Sequence, residues 1–66
     1  MTNKNLLKAK IIEQGMTVTQ IATLLGMSRE AFYNRLNNVT EFKASEIRTL
    51  SSILNIKNID VYFFNA

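Results

Sequence analysis

Cysteine, histidine and proline are all missing from this chain of 66 residues. Without cysteine there is no disulfide framework and no thiolate metal site. Without histidine the commonest general base and the commonest metal ligand are gone. Carboxylates are few, five in all and scattered singly. A metal cage or a two-carboxylate hydrolase site is therefore not expected. Tyr33, Tyr62 and the hydroxyl groups have no visible base or metal to activate them, so no enzyme, cofactor or small-molecule ligand is expected. No apolar run approaches the roughly 18 residues of a membrane span. The opening MTNKNLLKAK has neither the apolar stretch nor the cleavage site of a signal peptide. A membrane-surface peptide does not fit either, because the lysines and the apolar tail lie at opposite ends. These absences point to a cytoplasmic protein.

What is present fits one small ordered domain over 1–66. A chain of this size buries only about 60% of its unfolded surface, so it must pack efficiently or gain stability from a partner. The net charge is +3 and the pI near 9.6, a mild basic bias compatible with nucleic acid. Glycine occurs only at Gly15 and Gly26, and both fall where a helix should end.

The organising stretch is Thr17 to Asn38, TVTQIATLLGMSREAFYNRLNN, read as two short helices and a tight turn. Thr17 is a cap candidate, and Ile21, Ala22 and Leu25 form one apolar face. Gly26 permits the left-handed turn, and Met27 plugs it. Ser28 caps the next helix, with Glu30 in its first turn. Phe32 and Leu36 point inward. Arg29, Glu30, Tyr33, Asn34 and Asn37 remain outside, a hydrogen-bonding face suited to the DNA major groove.

Around this core, a first helix is expected over about 5–14, with Leu7 and Ile11 inward, Leu6 and Ile12 widening that face, and Lys4, Lys8 and Lys10 solvated. Asn38 to Lys43 is a polar connection anchored by Val39 and Phe42. Asn38, Thr40 and Lys43 are candidates for phosphate contact there, although Asn38 is first of all a left-handed helix stop. A helix over about 44–54 carries Ile47, Leu50, Ile53 and Leu54, and Asn55 ends it. In the last segment Ile59, Val61 and Phe63 alternate with Asp60, Tyr62 and Phe64. Local pattern slightly favours a strand, paired with the same strand of a second subunit; the all-helical context favours a helical turn that tucks Phe63 and Phe64 against the first and fourth helices.

The residues from Leu7 to Leu54 resemble the lambda-repressor/Cro-like helix-turn-helix family of phage and bacterial regulators. The resemblance rests on Gly15, Thr17, Ile21, Ala22, Leu25, Gly26, Ser28 and Arg29 in register. The run FYNRLNNVTEF and the Phe63–Phe64 pair are similar to short phage-borne members. The fold this implies is all-α: a compact four- to five-helix DNA-binding domain with a short extended or helical tail. It also implies that Arg29, Glu30 and Asn34 read bases, with Tyr33 alongside. Arginine suits guanine, asparagine suits adenine, and glutamate can accept from cytosine. Thr17 and Ser28 match caps near phosphates. Three positions depart from the pattern. Val18 stands where many members carry a DNA-touching glutamine, so that contact is either lost or replaced by Thr19 or Gln20. Ile11 and Leu36 replace an arginine–glutamate pair, an exchange of small net cost. Asn38 stands where glycine is common.

The expectation is a sequence-specific regulator that binds double-stranded DNA as a homodimer. Arg35 is expected to make either a surface ion pair or a phosphate contact. Val61, Phe63 and Phe64 are the dimer-interface candidates. The competing expectation is a protein-interaction module, an antirepressor or partner-binding subunit, whose apolar tail docks on another protein.

Overall fold

In the computed structural model, which describes residues 1–64, five helices follow one another: α1 Lys4–Glu13, α2 Val18–Leu24, α3 Arg29–Leu36, α4 Ala44–Leu54 and α5 Ile59–Phe63. Among the described residues there is no strand. The fold is all-α, as the spacing of apolar residues requires. Asn65 and Ala66, the end of the tail expected over 56–66, lie outside the described residues.

Side-chain caps start the first three helices. Asn3 Oδ1 accepts the Leu6 N–H (3.1 Å), Thr17 Oγ1 that of Gln20 (3.2 Å) and Ser28 Oγ that of Ala31 (3.0 Å). Each satisfies a donor that the first turn would otherwise leave unpaired.

The first three helices also end alike. Gly15, Gly26 and Asn38 all have φ between 61° and 72°. The residue after each returns its N–H to a carbonyl five positions back: Met16 to Ile11, Met27 to Ala22, Val39 to Asn34. That is the Schellman closure, with an apolar residue just beyond the turn. Asn55 (φ 57°) ends α4 in the same left-handed region, and Ile56 reaches back to Ser51.

The core collects Leu7 and Ile11 from α1, Ile21 and Ala22 from α2, Phe32 and Leu36 from α3, and Leu50 and Leu54 from α4. Phe42 enters from the α3–α4 connection, as its isolation between polar residues predicts. Its ring meets Phe32 edge-on at 5.8 Å and Phe63 at 5.4 Å, so an aromatic row runs from α3 to α5. Such edge contacts are worth about 0.5–1.5 kcal/mol each beyond their buried area. Ile11 and Leu36 are both interior. Ile12 does not widen the inner face of α1; it stands 73% exposed.

The tail is helical, and the strand alternative fails on parity. A strand would turn Ile59, Val61 and Phe63 to one side. Instead Tyr62 and Phe63 are buried, Ile59 packs beside them, and Val61 faces out. That is the i, i+3, i+4 spacing of a helix. The Asn3 N–H also donates to the Tyr62 carbonyl (2.8 Å), which ties α5 to the start of α1. A lone strand would have left its ladder groups unpaired. The expected tuck of both phenylalanines holds for Phe63 only, since Phe64 is 61% exposed.

Candidate nucleic-acid interface

Helices α2 and α3 pack closely on each other. The left-handed Gly26 and the Ser28 cap define the turn between them, and Thr17 caps the start of α2, so this two-helix unit is fixed by local chemistry. Core contacts occupy Phe32 and Leu36, and this decides which side of α3 is left for solvent.

On that outer side Arg29 and Glu30 are exposed, and Tyr33 and Asn34 are half-buried. The Arg29 guanidinium lies over the Tyr33 ring, 5.6 Å from its centre. A cation over an aromatic face gains about 0.5–1 kcal/mol at an exposed site. More usefully, the ring limits the rotamers that Arg29 samples while its donors stay uncommitted. No carboxylate pairs with Arg29 among the described residues. Asn34 gives its backbone carbonyl to Val39 and Thr40, and its side-chain amide makes no hydrogen bond among the described residues. Glu30 likewise forms no ion pair there. Arg29, Glu30, Tyr33 and Asn34 thus share one helix and present free polar ends.

Thr17 and Gln20 form a reciprocal box at the start of α2. Gln20 Oε1 accepts the Thr17 N–H (2.9 Å), while Thr17 Oγ1 accepts the Gln20 N–H. Both acceptors are used, so the groups left to donate are the Thr17 hydroxyl and the Gln20 amide NH2. Val18 packs against the core, in keeping with its lack of any polar group. Ser28 caps α3 from an exposed position. Thr40 and Lys43 are exposed in the connection after α3. Lys43 spends its backbone N–H on Glu46 Oε1 (2.9 Å), and its ammonium group makes no ion pair among the described residues.

Two site expectations change. Asn38 makes the left-handed stop, but its side chain is also engaged. Oδ1 accepts the Thr2 N–H (2.8 Å), and Nδ2 donates to the Thr2 carbonyl (3.1 Å). Of the two roles weighed for Arg35, the ion pair is the one formed, and it is shielded rather than superficial. Its Nε donates to Glu46 Oε1 (2.8 Å) and Nη2 to Glu46 Oε2 (3.1 Å), with the side chains only 16% and 14% exposed. Nη1 turns back to the Ala31 carbonyl (3.3 Å). Burial by itself raises the Glu46 carboxyl, but the Arg35 hydrogen bonds, the Lys43 N–H and the two nearby cations outweigh it. The carboxyl is held below its ordinary value of 4.5. The ion pair has no periodic signature, because its partners are eleven positions apart across an irregular connection.

Of the dimer candidates, Phe63 is withdrawn, since it is 3% exposed within one subunit. Val61 and Phe64 reach the surface. No group of metal-binding side chains is gathered among the described residues, and no helix there is long and apolar enough to cross a membrane.

A family model described as "Protein of unknown function (DUF739)" matches residues 3–66. No curated protein and no solved structure matches the chain significantly.

Proposed function

The chain belongs to the DUF739 family, and from the geometry of α2 and α3 we propose that it is a sequence-specific DNA-binding regulator of the Cro/repressor kind. The observation that carries this reading is the outer face of α3. There Arg29 is held over Tyr33 with its donors free, and the Asn34 amide is free on the same helix. Those are the groups that pair bidentately with guanine and adenine in the major groove. α3 enters the groove. The Thr17 hydroxyl, the Gln20 amide, Ser28, Thr40 and Lys43 meet the backbone on either side. Glu30 accepts from cytosine or repels phosphate in wrong registers. One domain of this size covers too little DNA for useful affinity, so the protein acts as a homodimer on a near-palindromic site with half-sites about 34 Å apart. Val61 and Phe64 supply the exposed apolar groups of the subunit contact.

A second reading draws on α2. That helix carries no charge, and Met16, Thr19, Gln20, Thr23 and Leu24 line a shallow depression of about 370 Å³ on its outer side. A partner protein seated there would make the chain an interaction module.

Selection from random duplexes, followed by a salt titration on the selected pool, separates the two. The DNA reading expects a two-fold-symmetric site and a steep loss of affinity with salt, because bound phosphates release counterions. It is abandoned if no sequence is enriched and binding is weak at every salt concentration.

A further inference from the structure

We propose that the Arg35–Glu46 pair is a positioning element that sets the angle at which α3 is presented, and so governs sequence discrimination rather than affinity for duplex in general; this rests on the DNA-reading proposal above. The argument starts from how α3 is held. It lies close along α2. Residues 37–41 between α3 and α4 are all exposed. The back of α3 is tied to the following part of the chain in two ways: by apolar packing, with Phe32 and Leu36 sharing one core with Phe42, Leu50 and Leu54, and by the Arg35–Glu46 pair.

The two ties differ in kind. Ring packing tolerates sliding, because apolar attraction is not directional. A guanidinium on a carboxylate through two parallel bonds fixes both distance and angle. Here the fork is braced at both ends. The third guanidinium nitrogen bonds the Ala31 carbonyl within α3 itself. Glu46 Oε1 also accepts the Lys43 N–H at the start of α4. One network therefore joins the body of α3 to the first turn of α4.

Rotation of a helix matters at its rim. Side-chain ends lie about 5–6 Å from the axis, so a turn of about 10° moves them by about 1 Å. Hydrogen bonds to base edges hold only over about 0.5 Å of donor–acceptor distance. Contacts to phosphates by flexible lysines survive such a shift. Loosening the fork should therefore blur reading by Arg29 and Asn34 while leaving non-specific binding in place.

The test replaces both partners at once, Arg35→Met with Glu46→Leu, since an apolar pair of similar volume can keep a domain folded. Arg35→Lys, which keeps the charge but not the fork, and Glu46→Gln serve beside it should the double variant fail to fold. Each is compared with wild type for melting temperature, for binding to random duplex, and for preference between the selected site and random duplex. The expected result is a folded protein whose random-duplex affinity and salt slope match wild type, but whose site preference falls tenfold or more. Arg35→Lys should fall with it. If the folded variants keep the wild-type preference, the pair only stabilises the fold and the proposal is wrong. If Arg35→Lys alone keeps it, or the salt slope of the double variant drops by about one, Arg35 is a phosphate contact instead. A wild-type chain with no preferred site overturns the DNA reading itself, and this inference with it.

Discussion

The two arginines of α3 stand six positions apart on one short helix and live in different physical regimes. Arg29 is in water, leaning on an aromatic ring, with its donors unspent. Arg35 is shielded, and three of its nitrogens are assigned to acceptors. The contrast separates a face that must stay available from a face that must stay put. Residue type does not decide between them; what lies opposite each side chain does.

The contrast can be broken from the back first. Phe32→Ala removes the ring at the head of the aromatic row, and truncation of a buried phenylalanine costs about 3–5 kcal/mol. Chemical denaturation should find the domain largely unfolded, since small domains have little more than that in hand.

Arg35→Ala comes next. It leaves the Glu46 carboxylate shielded without its partner, and we expect a loss of about 2–4 kcal/mol by the same measurement. The pair also carries a pH signature. Because the folded carboxyl is held below 4.5, its stabilising contribution is complete above that value and disappears as pH falls through the lowered one. An acid titration of the melting temperature should therefore show a steeper fall for wild type than for Glu46→Gln.

At the front, Arg29→Ala should leave stability within about 0.5 kcal/mol of wild type. If α3 reads DNA as proposed, the cost instead appears as about 1–3 kcal/mol of lost discrimination at one base pair, read from competition between single-base variants of the preferred site. If Arg29→Ala melts early, or Arg35→Ala does not, the division of labour along α3 is mistaken.

The smallest effect belongs to neither face. Ser51 Oγ is buried in α4 with no hydrogen-bond partner among the described residues. Ser51→Ala should raise stability by about 1 kcal/mol, because an unpaired polar atom leaves the interior.

Much of this fold was legible because its signals are local. The caps at Thr17 and Ser28 and the stops at Gly15, Gly26, Asn38 and Asn55 each act within one turn of chain. They placed the helix ends within a residue or so. The expected range of α4 matched the observed one. The tail was ambiguous because its residues are strand formers by type, and only tertiary partners, Phe42 and the Asn3 N–H, draw it into a helical turn. Ile12 was read inward from helical spacing that could not say how wide the neighbouring surface is. The outer face of α3 was visible as a polar stripe, and the Arg29–Tyr33 contact is the i, i+4 neighbourhood of any helix. The second life of Arg35 and the engagement of Asn38 with Thr2 depend on residues distant in sequence, which no periodicity encodes.

That engagement has a kinetic consequence. The Thr2–Asn38 bonds join positions 36 apart, and they lie in water where each is weak. Closing so long a loop is entropically unfavourable until the segments between are already ordered. This seam should therefore be absent from the folding transition state and form last. It should open first in the native protein, so that the Thr2 amide exchanges with solvent faster than any amide inside α2 or α3. Loosening it would hasten unfolding while leaving the rate of folding almost untouched.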